Sequence, residues 1–326
     1  MPSGFTATDT MFSVRQTPWH GLGVVIDDIA TWAEAHEIAG LNWEVEKVPA
    51  YARIGDCNFA AVPRGYVTVR TDTQQPLGQV GAAYTPLQNA DAFKFMDAVC
   101  ADPGGPKYVT AGSLHGGRKI WMLVKMPSFV ELTNSDIVEE FLLLSNTHDG
   151  SRAIEVLWTP IRVVCQNTLT AALKGTGKGR VSLRHMPNIR AKVADVQDIL
   201  GISRENHLNF SAIAQALQSY EPSQDEVNDV LKTLFAPDVK TNGDTRYENI
   251  ARQVESLYRD GEANANAGDT WSAWALYNGI TEYADHYRPT RVRKGVNAAD
   301  VRLESNWYGS GAELKSRALE VVAGLL

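Results

Sequence analysis

Short runs of alternating hydrophobic and polar positions, joined at turn residues, fill much of the first half of the chain. YVTAGSL and KIWMLVKM flank the turn sequence HGGR, and EEFLLLSNT and SRAIEVLWTP flank His148-Asp149-Gly150. An earlier pair, GYVTVRT and LGQVGAAY, is joined by a polar connection. Alternation with period two around Gly-containing turns is typical of β-hairpins. The pattern therefore predicts a meandering antiparallel sheet.

Helices are predicted on one side of this sheet. Thr31 to Glu34 has the pattern of a capping box, and Gly40 suits the residue after a helix end. Asn89 is expected to cap a second helix, and Asn167 or Thr168 a short third one beginning at Leu169.

Helical spacing replaces alternation from Lys192 onward. Ser223 to Glu226 forms a capping box before an amphipathic face, and Asp269 is expected to cap an aromatic helix that contains Trp271 and Trp274. Hairpins followed by helices predict an α+β fold: an antiparallel hairpin sheet backed by helices, then a mainly helical C-terminal region. We expect residues 1–190 to form the α+β core domain, with an N-terminal arm and a basic central loop, and residues 191–326 to form a helical domain.

The distribution of charge adds a functional clue. The 326-residue chain carries a net charge of −7, yet residues 151–194 hold eight Lys or Arg and one acid, a local balance of +7. A second basic cluster follows the aromatic helix and contains Arg288, Arg291, Arg293 and Lys294. Segregated positive charge in an acidic protein favours an anionic polymer as partner.

Motifs for catalysis are not found in the sequence. The Gly- and Lys-rich run KGTGKGR lacks the spacing of a phosphate-binding P-loop, and no GxSxG, HExxH or GxGxxG motif occurs. The three cysteines are widely separated and suggest neither disulfides nor zinc. We therefore expect a non-enzymatic protein with no cofactor and no metal. A metal-dependent nuclease is an outside alternative, which requires Asp149, Glu155 and a further carboxylate to converge.

Four strings carry a resemblance to a known family. WHGLG, YTPLQNADAF, SNTHDGSRAIEVLWTPIRVVCQNTL and TWSAWALYNGITEYADHYRP together resemble the phage- and plasmid-encoded family known only as a domain of unknown function. The resemblance covers nearly the whole chain and implies a phage or mobile-element source. More distantly, the order of hairpins and helices and the basic loop are similar to the Rad52-like single-strand annealing proteins, which assemble as rings or filaments on DNA.

Together these observations predict a single-stranded DNA-binding and annealing protein that acts in recombination without ATP hydrolysis. It is expected in the cytoplasm of a phage-infected or plasmid-bearing bacterium, as a homo-oligomer with no membrane association. The candidate DNA-binding residues are Arg152, Arg162, Lys174, Lys178, Arg180 and Arg184 for phosphates and Trp158, or Trp121, for base stacking. The alternative is a protein that blocks or sequesters a host factor through the aromatic helix around Trp271 and Trp274.

Overall fold

A computed structural model describes the following residues of the chain: 10–14, 24–27, 31–56, 58–99, 107–133, 136–162, 167–168, 180–187, 196–236, 243–267, 271–289, 291–292, 301–302, 305–306 and 309–326. The fold is α+β, as the sequence predicts, with two sheets and a mainly helical C-terminal region.

The larger sheet has eight strands among the described residues. Its order is β10-β9-β8-β7-β6-β1-β2, and β11 also pairs with β9. All of its pairs are antiparallel except β1 with β2. The strands are β1 (Met11–Val14), β2 (Val24–Ile26), β6 (Lys107–Leu114), β7 (Lys119–Thr133), β8 (Asp136–Thr147), β9 (Ile154–Arg162), β10 (Asn167–Thr168) and β11 (Arg180–Leu183).

The smaller sheet is antiparallel and has the order β3-β4-β5, with β3 (Val45–Ile54), β4 (Asn58–Arg70) and β5 (Pro76–Gly81). β5 pairs with β4 only over Gly65–Val69. Beyond that point the pairing of residues 51–54 with residues 58–61 continues as a two-stranded arm. Large apolar side chains on this arm are exposed to solvent: Tyr51, Ile54 and Phe59.

The predicted hairpins are confirmed. The turn between β8 and β9 is His148-Asp149-Gly150, where Gly150 has a φ of 75°, a left-handed conformation that glycine adopts at little cost. The prediction that Asn167 or Thr168 caps a short helix beginning at Leu169 is wrong. Asn167 and Thr168 form β10 and pair with Arg162 and Ile161 of β9. Residues that favour caps and turns are here drawn into a strand by the free edge of β9.

In the described part of the chain the helices are α1 (Trp32–Ile38), α2 (Asn89–Val99), α3 (Val196–Gln218), α4 (Gln224–Phe235), α5 (Gly243–Asp260), α6 (Glu262–Ala267), α7 (Ala273–Glu282) and α8 (Ser310–Ala323). Both predicted capping boxes are present, at Thr31 and at Ser223. Ser272 caps α7 by accepting from Ala275 N at 3.0 Å. The predicted cap, Asp269, lies outside the described residues.

Helix α7 occupies the centre of the helical region. Every residue from Ala273 to Glu282 is buried, and the helix contacts α3, α5, α6 and α8. A helix that is buried on all sides belongs to a protein core. The core continues into the larger sheet through Phe210 of α3, which packs edge-on against both Trp158 and Trp274. One hydrophobic cluster therefore joins the sheet to the C-terminal helices.

Candidate functional site: an arginine-lined cavity

A cavity of about 540 Å³ lies where the end of the larger sheet meets the C-terminal helices. Its described lining includes five arginines and no aspartate or glutamate. We call it the arginine cavity, after Arg152, Arg246, Arg288, Arg291 and Arg302. Its remaining wall includes the apolar side chains Phe235, Ile250, Tyr283 and Leu314. The cavity therefore presents positive charge against a hydrophobic wall.

The five arginines come from separate parts of the chain. Arg152 lies between the β8–β9 turn and β9, and Arg246 lies in the first turn of α5. Arg288 directly follows a π-helical turn, while Arg291 and Arg302 lie in the segment between α7 and α8. The tertiary fold alone brings them together, and the sequence interval between the first and the last is 150 residues.

A π-helical turn, Tyr283–Tyr287, extends α7 and sets the position of Arg288. The backbone N–H of Arg288 donates to the carbonyl of Tyr283 at 2.8 Å, which is an i to i+5 hydrogen bond. The ring of Tyr283 packs edge-on against Phe235 at the end of α4, with 5.7 Å between the ring centroids. Such turns occur frequently at functional sites.

Two of the arginines are held by backbone carbonyls. Arg288 Nη1 donates to Ser310 O at 2.8 Å, and Arg302 Nη1 donates to His286 O at 2.8 Å. A guanidinium has five N–H groups, so each of these side chains keeps donors for a ligand. Both arginines are half-buried, whereas Arg152, Arg246 and Arg291 are exposed.

The acidic side chain nearest to Arg288 along the chain is paired with a lysine. Asp285, in the π-helical turn, accepts from Lys315 Nζ of α8 at 2.8 Å, and both side chains are buried. Among the described residues, no carboxylate lies within ion-pair distance of Arg246, Arg288, Arg291 or Arg302. Burial raises the pKa of the Tyr283 hydroxyl, while the nearby Arg288 and Arg246 favour its ionised form. The cavity is thus suited to an anion.

The His148-Asp149-Gly150 turn has a different character. His148 Nε2 donates to Asn89 Oδ1 at 2.9 Å, and Asn89 Nδ2 donates in turn to the carbonyls of Leu41 and Trp43. Thr68 Oγ1 donates to His148 O at 2.6 Å. Asn89, predicted to cap α2, instead ties that helix to the turn and to the chain before β3.

Aromatic and cationic groups complete this assembly. The rings of Trp43 and His148 meet edge-on with 5.5 Å between their centroids, and Arg70 Cζ lies over the Trp43 ring at 4.2 Å from its centroid. Arg70 also pairs with Asp72 and thereby lowers the pKa of that carboxyl. We call these buried residues the turn junction: Trp43, Thr68, Arg70, Asn89 and His148. It joins the two sheets and α2.

The two histidines near this turn are held neutral. Burial lowers the pKa of His148 to about 3 and the pKa of His185 to about 4. His185 stacks on Tyr84, with 4.5 Å between the ring centroids, and Tyr84 Oη donates to Thr147 O at 2.9 Å. Neutral, enclosed rings of this kind hold the structure together.

The predicted DNA-binding residues divide into three groups. Arg152 lines the arginine cavity, and Arg184 is exposed just beyond the last pair of the β9–β11 ladder, Ile154 with Leu183. The side chains of Arg162 and Arg180 lie outside the described residues, and so do Lys174 and Lys178. The sequence pattern identified Arg288 and Arg291 only as a basic cluster, and no local signal marked Arg246 or Arg302.

The prediction of base stacking by Trp158 is wrong in this structure. Its ring is 6% exposed and packs against Phe210, because its strand position faces the helices. Trp121 is also buried, at 3% exposure, on the opposite face of the sheet. Neither ring presents a surface on which a base could stack.

Several carboxylates of the β8–β9 hairpin, where the sequence suggested a metal site around Asp149 and Glu155, have partners within the protein. Glu139 pairs with Lys125, and the buried Glu140 accepts from Ser128 Oγ and from His207 Nδ1. Asp149 accepts from Ser151 N at 2.9 Å. No group of three potential metal ligands occurs within the described part of the chain. No described helix has both the length and the apolar character needed to cross a membrane.

The fold and the cavity define an α+β protein with a candidate polyanion-binding site. The chain belongs to the family described as Domain of unknown function (DUF932), whose model matches residues 76–307. That range includes all five arginines of the cavity. Comparisons with curated proteins and with solved structures each found no match.

Proposed function

We propose that this protein binds single-stranded DNA and promotes its annealing during recombination of a phage or mobile element, without ATP hydrolysis. The observation that carries the proposal is the arginine cavity, where Arg152 of the basic central stretch meets Arg288 and Arg291 of the second basic cluster. Two basic segments that are distant in sequence thus contribute to one surface. Their arginines suit phosphate oxygens because a guanidinium can donate two parallel hydrogen bonds.

The mechanism relies on neutralising the DNA backbone. Phosphates contact guanidiniums at the cavity, and the bases remain outside it, free to pair with a complementary strand. The buried Trp158 and Trp121 take no part. Binding without base stacking should depend strongly on salt, since counterion release supplies most of its free energy. A homo-oligomer would present several such cavities to DNA.

Fluorescence anisotropy with a labelled single-stranded oligonucleotide tests binding. The wild-type protein should bind at low salt and weaken steeply between about 50 and 200 mM salt. The double variant Arg152→Ala/Arg246→Ala removes two phosphate contacts, so the slope of log K against log salt should fall by about 1.4, at roughly 0.7 per contact on a single strand.

The matched control is Arg252→Ala. Arg252 is also an exposed arginine of α5, but it does not line the cavity. This control should keep the wild-type affinity and slope. The proposal is contradicted if the wild-type protein does not bind at low salt, or if the cavity variant and the control bind equally well. A strand-annealing assay with the same proteins then tests the second half of the proposal.

The alternative, binding of a host factor through the aromatic helix, has fewer exposed aromatic rings to support it. Trp274 is fully buried in α7, and Arg259 lies over the exposed Trp271 at 4.5 Å from its ring centroid. The aromatic helix therefore belongs mainly to the core.

A further inference from the structure

We propose that the arginine cavity receives a terminal phosphate, so that the protein recognises the phosphorylated end of a DNA strand. This inference rests on the proposed function and assigns the ligand of the same site. The end of a strand differs from its interior in the charge of its phosphate and in the space that it needs.

The charge of the cavity exceeds what one internal phosphate can balance. Four of the arginines that line it, Arg246, Arg288, Arg291 and Arg302, have no ion pair with a described carboxylate, and the adjacent Asp285 is paired with Lys315. An internal phosphodiester carries one negative charge, whereas a phosphomonoester carries about −1.5 to −2 at neutral pH and offers three acceptor oxygens. The end of a strand therefore brings more charge into the cavity than an internal position does.

The size and walls of the cavity also favour an end. About 540 Å³ lies within the range of roughly 300 to 1,000 Å³ that small-ligand pockets occupy. Phe235 and Tyr283 form part of the lining and are buried, so the cavity backs onto the hydrophobic core. A strand that enters such a cavity meets a wall, so its terminal phosphate fits more readily than a continuous backbone, and the bases remain outside.

Two of the arginines are preorganised for this ligand. The hydrogen bonds of Arg288 to Ser310 O and of Arg302 to His286 O fix their guanidiniums at the cavity. Fixed donors lose less conformational entropy on binding than free side chains do. The exposed Arg152, Arg246 and Arg291 supply further charge around them.

The test compares oligonucleotides of one sequence that carry a 5′-phosphate, a 3′-phosphate or hydroxyls at both ends. Anisotropy competition at fixed salt measures their relative affinities. One phosphorylated end should bind at least about tenfold more tightly than the unphosphorylated strand, the factor expected from one charge-assisted hydrogen bond. The oligonucleotide that binds more tightly shows which end is recognised.

Variants assign this preference to the cavity. Arg288→Ala/Arg302→Ala should reduce the preference to about one, and circular dichroism checks that this variant folds. Arg246→Ala/Arg291→Ala changes only exposed side chains and should lower the preference without affecting folding. Arg252→Ala should keep the full preference.

Three results overturn the inference. Equal binding of all three oligonucleotides means that the ends are not recognised, although DNA binding itself stands. Competition by a free nucleoside triphosphate, with no preference among the oligonucleotides, assigns the cavity to a free nucleotide. The absence of binding to any oligonucleotide contradicts the proposed function as well, so the two failures are distinguishable.

Discussion

The turn junction and the arginine cavity contain residues only four positions apart, His148 and Arg152, yet they use polar groups in opposite ways. His148 is buried, neutral and bonded to Asn89, whereas Arg152 is exposed and contributes to a surface rich in positive charge. The enclosed group contributes to the fold through its Nε2 hydrogen bond to Asn89 and its edge-on contact with Trp43. An exposed charge contributes little to the free energy of unfolding and is suited to binding a ligand. Changes at the junction should therefore alter stability, and changes at the cavity should alter binding.

The largest expected effect is a loss of stability in acid. The pKa values of His148 and His185 are lowered in the folded protein from 6.5 to about 3 and about 4. The unfolded chain therefore binds more protons below pH 6.5, and the free energy of unfolding should fall as the pH drops from there towards 4. Each histidine contributes up to about 1.4 kcal/mol per pH unit. Urea unfolding across this range measures the slope.

The variant His148→Gln supplies the control for that slope. Glutamine does not titrate, so the slope of the free energy of unfolding against pH should lose the contribution of one histidine, whatever the variant's stability at neutral pH. An unchanged slope would mean that His148 is not the neutral, buried group described above.

The next largest loss of stability is expected when the buried Lys315–Asp285 pair is broken. Lys315→Ala leaves Asp285 buried without its ammonium partner, and breaking a buried pair in this way costs about 3 to 5 kcal/mol. Thermal and urea unfolding measure the loss. The double change Lys315→Met/Asp285→Asn removes both charges and should recover most of it. If Lys315→Ala is as stable as the wild type, the pair has no structural role.

A smaller loss is expected for Asn89→Ala at the turn junction. This change leaves His148 Nε2 without its acceptor and removes the donor to Leu41 O and Trp43 O. Unsatisfied buried groups cost about 1 to 3 kcal/mol. Asn58→Ala, on the exposed arm of the smaller sheet, is the control and should stay within about 0.5 kcal/mol of the wild type. DNA affinity should not change in either variant. A loss of affinity in Asn89→Ala would contradict the separation of the two regions.

The smallest effect on stability is expected at the cavity rim. Arg246→Ala and Arg291→Ala remove exposed side chains that have no ion pair with a described carboxylate, so unfolding should change by no more than about 0.5 kcal/mol. The same variants should weaken binding in the anisotropy assay. A large destabilisation without an effect on binding would reverse the roles assigned to the two regions.

The sequence predicts the fold better than the site, for a physical reason. Hairpins and capping boxes depend on residues a few positions apart, so the β8–β9 turn and the Ser223 box can be predicted from local patterns. The use of Asn89 depends on His148, which is 59 positions away, and local spacing suggested a cap instead. Trp158 was misassigned because a tryptophan beside basic residues has the same local pattern whether its ring faces solvent or α3.

The arginine cavity also depends on contacts between distant residues, which local patterns do not predict. Arg152 belonged to a visible basic stretch, and Arg288 and Arg291 to a second one, but nothing in the sequence indicated that the two stretches meet. Arg246 and Arg302 stand among mixed charges and become part of the site only through the packing of α5 and of the chain before α8. The division into domains at residue 190, the oligomer and the similarity to the Rad52-like proteins stay predictions.

The π-helical turn at Tyr283–Tyr287 makes the cavity sensitive to the length of the chain. Each residue of an α-helix turns the chain by about 100° and advances it by about 1.5 Å. If the same residues wound as an α-helix, Tyr283 O would bond Tyr287 N, and Arg288 would lie that much further round the axis, away from Ser310 O. The direction of Arg288 therefore depends on a turn that holds one more residue than an α-helical turn does.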